Sequence, residues 1–366
     1  MGVSAIVLAA GEGSRMRSSR PKPLHMICGR AMVMHVIHAL EQLDVDRTVL
    51  VVGHGAERVT KKVQEQAPAW ANVTFVEQTV QRGTGDAAMV GMTVIPGDDL
   101  DDDSTVIVLP GDTPLLRPET LEGLVAAHVA NGNAATLTTS VLDDPTGYGR
   151  VLRAPSKGDV QGRVLRIVEQ RDASDEERAV REVNMGMYAF RRDLLGPALR
   201  HLSPDNAQGE YYLTDVIGVL ASMGHRVGSF EAPEEETQGV NDRWQLAMAE
   251  RELRNRINRH WLLQGVTMLD PRQTFLDVNV TLGRDVTLYP GTILQGDTVI
   301  GDGCDIGPDT RLVDCRVGAG STVEQTVGHD AEVGEGAHVG PYAHLPVGSS
   351  VAAGVTTGAF YTAPTG

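Results

Sequence analysis

With 366 residues, a formal net charge of −16 and 41% hydrophobic residues, the chain can bury more than one ordinary core, and two domains are expected. The acidic balance argues against a nucleic-acid backbone as partner, no segment approaches the roughly 20 uninterrupted apolar residues of a membrane span, and the amino terminus lacks the basic flank and cleavage site of a secretory signal, so a soluble, cytoplasmic protein is expected. Cys28, Cys304 and Cys315 form no Cys-x-x-Cys pair and no Cys and His cluster shows zinc-ligand spacing, so neither disulfides nor structural zinc is expected.

From Ser4 to about Glu231 short apolar runs alternate with helix-like stretches. Ala5 to Leu8, Thr48 to Val52 and Thr105 to Leu109 are continuous apolar runs, as in strands covered on both faces. Met32, Val33, Val36, Ile37 and Leu40 recur at helical spacing, and a further helix is expected after Pro118. This pattern predicts an α/β domain with a mainly parallel sheet. Ala134 to Val141, Arg163 to Val168 and Val183 to Phe190 read as further strands, including a subsidiary sheet over the cleft. Asn241 to Leu263, with Leu246, Leu253, Ile257 and Trp261 among many Arg and Glu residues, reads as one long, half-exposed linker helix.

Beyond the linker the pattern changes. Leu282, Leu288, Leu294, Ile300, Ile306 and Leu312 stand six residues apart; Val317 and Val323 continue after a one-residue shift, and Val333, Val339, Leu345 and Val351 resume after an interruption. A six-residue period fits neither a helix nor simple strand alternation, but it fits a parallel β-helix whose hexapeptides each supply one face, with the aliphatic residue inward. The expected organisation is an α/β domain over residues 1–240, a linker helix over 241–263 and a short β-helix over 264–366. A coil of this kind exposes its faces, and self-association is expected.

The glycine-rich segment Leu8-Ala9-Ala10-Gly11-Glu12-Gly13-Ser14-Arg15-Met16 follows the first strand directly, and Pro21-Lys22-Pro23-Leu24 follows it. Glycines let backbone N–H groups approach a ligand closely. The segment meets neither the dinucleotide fingerprint nor the Walker loop. Arg15, Arg17, Arg20 and Lys22 concentrate positive charge within eight residues of an acidic chain, which favours an anion site over a merely solvated loop.

These motifs resemble the bifunctional N-acetylglucosamine-1-phosphate uridylyltransferase and glucosamine-1-phosphate acetyltransferase family, whose first loop is close to L-A-A-G-x-G-T-R-M followed by P-K-x-L-H; Ser14 replaces the threonine. Further matches follow in order at Gln78, Gly83-Thr84-Gly85, Gly111-Asp112-Thr113-Pro114-Leu115, Asp143 to Arg150, Ile167-Val168-Glu169, Asn184-Met185-Gly186, Asn206 to Tyr212 and Gly239-Val240-Asn241. The resemblance covers the chain to about residue 343. It implies a Rossmann-like nucleotidyltransferase domain followed by a left-handed parallel β-helix of hexapeptide repeats, a homotrimer, and magnesium-dependent transfer of UMP from UTP to N-acetylglucosamine-1-phosphate.

The chemistry so implied constrains the residues. A sugar-1-phosphate oxygen attacks the α-phosphorus of UTP and pyrophosphate leaves in line. Attacker and target are both anions, so a divalent cation and fixed basic groups are needed. No general base is required, because a phosphate monoester with its second pKa near about 6 is largely dianionic at neutral pH. The resemblance implies Arg15 and Lys22 as the catalytic cations on the triphosphate. It implies Asp112 and Asn241 as magnesium ligands, a carboxylate and an amide oxygen suited to that ion. Leu8, Ala9, Ala10, Gly11, Gly13, Gln78, Gly83 and Thr84 would hold the nucleotide, with the Gln78 amide both donating to and accepting from uracil. Gly111, Gly149, Glu169 and Asn184 would hold the sugar. Met185 and Pro110 depart from the family pattern and are expected to alter sugar affinity.

Two other readings stand beside this one: a UTP- or dTTP-dependent transferase for another sugar-1-phosphate, and a catalytically silent sugar-nucleotide-binding scaffold. Acetyltransferase activity is expected to be absent. The sequence ends at Gly366, before the later coils that carry that site in the family, and His344-Leu345-Pro346-Val347-Gly348 lacks the phosphate-binding arginine of the family's leucine-arginine-proline-glycine segment. Tyr361 to Pro364 also lacks the following lysine. His338 and His344 are read as solvated or structural histidines.

Overall fold

The computed structural model describes residues 2–95, 104–155 and 162–364. The chain divides into two compact units, one of Met1–His25 with Ala31–Gln245 and one of Met26–Arg30 with Leu246–Gly366.

The first unit is built on a nine-stranded sheet. Its first four strands are β1 (Val3–Ala9), β2 (Val45–Val52), β3 (Val73–Glu77) and β4 (Thr105–Pro110), which pair in parallel in the order β4-β1-β2-β3. Their apolar runs are continuous because both faces are covered. Ile6, Val49, Val51, Val106 and Val108 enter one core with Ala87 and Ala88 of helix Thr84–Met92. Ala5, Val7, Leu50, Ile107 and Leu109 enter the other with Val33, Val36 and Ile37 of helix Met32–His38 and Leu121 and Leu124 of helix Pro118–Ala130.

The sheet continues through β5 (Ala135–Val141), β6 (Gly149–Arg153), β7 (Val164–Val168), β8 (Glu182–Arg191) and β9 (Val227–Glu231). Of the three later runs, β5 and β8 join the main sheet, with β8 antiparallel between β4 and β5, while β7 pairs with β6, which extends sideways from the first residues of β8. Pairing partners depend on chain crossovers that apolar periodicity does not encode. β8 is also irregular: from Asn184 to Tyr188 it advances four residues while β5 moves two, from Thr139 to Leu137.

In the second unit three five-stranded parallel sheets of two- and three-residue strands form a left-handed β-helix. Leu294, Leu312 and Leu345 of one sheet are all nearly or fully buried, as are Leu288, Ile306, Val323 and Val339 of another. The interruption in the six-residue period falls at Gly328, which pairs with Leu312 on one side and Leu345 on the other. A Cβ there would stand 2.9 Å from Leu312 Cδ2 and 3.2 Å from Cys315 Sγ, so the thiol and the leucine already occupy the space that an aliphatic residue fills elsewhere. Buried Thr292, Thr298 and Thr326 donate to the carbonyls of Tyr289, Gln295 and Glu324, satisfying hydroxyls inside the coil. Residues 26–30 join this unit through Cys28, whose N–H donates to Glu250 Oε2 at 2.8 Å and whose carbonyl accepts from Val278 N at 3.0 Å. All three cysteines are buried and free. The long helix Arg243–Leu263 places Ile257 and Trp261 against the coil core, and Asn258 Nδ2 donates to the carbonyls of Pro271 and Thr274. Among the described residues no helix is long and apolar enough to cross a membrane.

Candidate functional site

The turn after β1 is shaped for close approach. Gly13 takes φ +64°, and a Cβ there would come within 2.5 Å of Lys22 Cβ, so glycine lets the turn close against the lysine. Lys22 opens a short 3₁₀ turn, Lys22–Leu24, fixed by the preceding Pro21. Its ammonium ion-pairs with Asp112, which stands just past β4. The same Nζ donates to Asn241 Oδ1 at 2.9 Å, and Arg15 Nη2 donates to that oxygen at 3.0 Å. Asn241 reaches this point because Val240 N donates to the Asp112 carbonyl at 2.8 Å, which docks the 239–241 segment beside the strand end. The four residues expected to bear cations and metal therefore converge, although they lie up to 226 positions apart in sequence.

Beside this cluster lies a cavity of about 510 Å³, within the range of small-molecule sites. Leu8, Ala9, Ala10 and Gly11 line it at the end of β1, and Gly111 and Asp112 line it at the end of β4. Strand carboxyl ends are where open α/β sheets place ligands. Gln78, Gly83 and Thr84 form another part of the wall. Gln78 is buried, and its Nε2 donates to Gly83 O at 3.2 Å and Asp86 Oδ2 at 2.7 Å. Two acceptors thus fix the orientation of the amide and engage its hydrogens, so only Oε1 is free to meet a base. With both hydrogens so engaged, the amide has no free donor for the donation to uracil expected of it.

Glu169 and Asn184 also line the cavity. Glu169 Oε1 accepts from Thr214 Oγ1 at 3.0 Å. Burial is the main cause that raises its carboxyl pKa, aided by the charges of Asp215 and Asp172 and opposed by the Thr214 bond. Gly149 is not in the cavity wall, but a Cβ on it would lie 3.4 Å from both Glu169 carboxylate oxygens, so its backbone adjoins that group. Gly13, Arg15 and Asn241 also stand outside the wall; Arg15 instead lines a more open depression with Arg17, Arg243 and Trp244. Arg17 and Arg20 are exposed, and Arg58 Nη1 secures their loop by donating to Ser19 O at 2.7 Å.

Of the two departures from the family pattern, Pro110 lines the cavity and Met185 does not. Met185 packs with Leu142 and Val183 and touches Tyr148, because the irregularity in β8 turns it into that small cluster. Met185 therefore has a packing role away from the cavity wall. Three wall residues carry no signal in motif or spacing. Gln81 Nε2 donates to Ala10 O at 2.9 Å and ties the 78–84 segment to the glycine-rich turn; Tyr188 and Thr214 bond Asn184 and Glu169. Only the fold brings these residues to the cavity.

The oxygen set fits magnesium. A carboxylate and an amide oxygen already meet at one cation, the Lys22 ammonium, and among the described residues no group of three or more His, Cys, Asp and Glu side chains forms a fuller cage. Few protein ligands suit an ion that keeps waters and shares substrate phosphates.

The family model for MobA-like NTP transferase domains matches residues 5–210. The bifunctional protein GlmU of Streptomyces avermitilis is 47% identical over 98% of this chain and 72% of its own length. The proteins of the same name from a Geobacillus species and from Thermobifida fusca are 43% and 47% identical, covering 97% and 90% of this chain and 74% and 67% of their own. With one cleft of matching chemistry and matches of this extent, the chain belongs to the GlmU family and is a sugar-1-phosphate uridylyltransferase, a UDP-N-acetylglucosamine diphosphorylase.

Proposed function

We propose that this chain transfers UMP from UTP to N-acetylglucosamine-1-phosphate in a magnesium-dependent reaction in the cytoplasm, releasing pyrophosphate. The observation that carries this reading is the joint bonding of Lys22 Nζ to Asp112 and Asn241, with Arg15 on the same amide oxygen, beside the glycine-rich turn. Asp112 and Asn241 would hold the ion. When bound, it supplies positive charge against the phosphate oxygens and the departing pyrophosphate. Arg15 and Lys22 direct fixed cations at the triphosphate, where charge grows as the bond from the α-phosphorus to its leaving oxygen breaks. Gln78 accepts from the N3–H of uracil, and the backbone from Leu8 to Gly13 with Gly83 and Thr84 encloses the nucleotide. Gly111, Gly149, Glu169 and Asn184 orient the sugar so that its phosphate oxygen lies in line. No side chain need take a proton from that phosphate.

A panel of UTP and dTTP against N-acetylglucosamine-1-phosphate and glucose-1-phosphate, read by pyrophosphate release and product mass, tests the assignment. UTP with N-acetylglucosamine-1-phosphate should give the highest kcat/KM; a higher value for another pair would reassign the substrate, and no release from any pair would leave a binding scaffold.

The β-helix serves assembly and stability in this reading, as the core of a homotrimer. Light scattering should give three times the chain mass, and a monomeric mass at working concentration would reject it. Acetyl transfer is not assigned to the coil. Leu345 points inward and Pro346 follows it with neither charge nor side-chain donor where the resemblance calls for arginine, and His338 and His344 are exposed strand residues. Acetyl-CoA-dependent release of free thiol that requires glucosamine-1-phosphate would overturn that assignment.

A further inference from the structure

The side chain of Asn184 is held at both ends. Gly186 N–H donates to its Oδ1 at 3.2 Å, and its Nδ2 donates to the Tyr188 hydroxyl at 2.8 Å. A backbone N–H can only donate, so the amide oxygen must face Gly186 and the amide nitrogen must face the phenol. The phenol oxygen is thereby an acceptor, and its own hydrogen is left to be given elsewhere. Among the described residues the Tyr188 hydroxyl donates no hydrogen bond. Tyr188 is nevertheless 2% exposed and lines the cavity. Burial, with the nearby charge of Glu169 second, raises the phenol pKa, so the hydroxyl keeps its proton.

This pair exists because β8 is bulged. In a regular strand residues four apart are separated by about 13 Å along the chain direction, too far for such a bond. Here Gly186 takes φ +80°, the chain gains two residues against β5, and Asn184 and Tyr188 come together. Thr138 closes the bulge from the facing strand: its Oγ1 donates to Met187 O at 3.1 Å and accepts from Met187 N at 3.3 Å. The ring is held in stacked contact with Phe190, centroids 5.6 Å apart. A buried donor, rigidly mounted on a cavity wall and lacking an internal acceptor, is matched by a ligand oxygen.

We propose that the Tyr188 hydroxyl is a sugar-binding group that donates its hydrogen to an oxygen of the bound sugar-1-phosphate, a ring hydroxyl or the acetamido carbonyl. The inference rests on reading this cavity as the sugar site. It adds a direct contact to the one made by Asn184, and it explains why a bulge is built at this place in β8.

Tyr188→Phe tests it, since the ring and its packing stay and only the hydroxyl is lost. Loss of one buried hydrogen bond to substrate should raise KM for the sugar phosphate by about tenfold, with KM for UTP and the melting temperature little changed. Unchanged sugar KM, or equal shifts in both KM values, would overturn the proposal. Because the phenol also supports Asn184, the same change is made in an Asn184→Ala background. A further rise in sugar KM supports direct donation, and no further rise contradicts it. If the variant penalises N-acetylglucosamine-1-phosphate more than glucose-1-phosphate, the acceptor is the acetamido carbonyl; an equal penalty assigns a ring hydroxyl. A wild-type chain that turns over no sugar-1-phosphate sinks the reading of the cavity together with this inference, whereas normal wild-type turnover with an unaltered Tyr188→Phe variant sinks the inference alone.

Discussion

In the β-helix, Leu294, Leu312 and Leu345 repeat one task, each filling the same face of its own coil. In the α/β unit, Lys22, Asp112 and Asn241 are delivered by three separate segments to one point, and their immediate neighbours serve other purposes. The repeat spreads its stabilisation along an axis, so losing one residue weakens a neighbourhood. The cleft gathers its charged groups at one point, so removal of one is expected to disable the whole. Substitutions in the two units should therefore fail differently.

The largest effect is expected from Asp112→Ala. Removing a metal ligand should lower turnover by at least about 10³-fold, while circular dichroism and the melting profile stay close to wild type, since this carboxylate is 26% exposed and packs in no core. Activity within a few-fold of wild type at limiting magnesium would separate Asp112 from the metal. Arg15→Ala comes next, with a loss of about 10²-fold in kcat. If the change appeared only in KM for the sugar phosphate, Arg15 would have been assigned to the wrong substrate.

Leu312→Ala sharpens the contrast from the other side. It deletes a fully buried side chain beside Gly328 and should cost the coil about 2–5 kcal/mol, seen as an earlier unfolding transition. Pyrophosphate release well below that transition should stay within about twofold of wild type, below the roughly 0.5 kcal/mol that divides independent from coupled sites. A fall in turnover parallel to the loss of stability would erase the distinction between the units.

The smallest effect concerns Glu169. Desolvation raises its carboxyl pKa in the folded chain, so the folded state binds the proton more tightly than the unfolded one. Its contribution to stability is present below the unfolded pKa and is lost as pH rises through the folded pKa. Glu169→Gln should remove that part of the decline when denaturation midpoints are compared across the same pH range. Identical pH profiles for the two chains would show that the carboxyl is not shifted.

The same contrast governs what could be read from the sequence. A six-residue aliphatic period survives in a linear string, and so does the apolar continuity of β1, β2 and β4. The break at Gly328 could be seen but not explained, because the thiol that fills the space belongs to Cys315 of a neighbouring coil turn. Arg15, Lys22, Asp112 and Asn241, which the structure brings together, were legible in the sequence because ordered motifs name them. The site was illegible where pairing decides orientation. Nothing in the spacing of Asn184 and Tyr188 announces the bulge that joins them, and Met185 between them proves to face a core. Likewise, the Gln78 amide loses its free hydrogens to Gly83 and Asp86, a competition visible only once the turn is folded.

The central claim is that a metal ion held by Asp112 and Asn241 supports uridylyl transfer in the cleft. It is tested most directly by pyrophosphate release at saturating UTP and N-acetylglucosamine-1-phosphate as magnesium is titrated, with wild type beside Asp112→Asn. Wild-type release should saturate with magnesium and vanish on chelation. The variant, which exchanges a carboxylate for a neutral amide, should need more metal for half-maximal rate and reach a lower plateau. Release that persists in the wild type after chelation, or coincident magnesium curves for the two chains, would contradict the account.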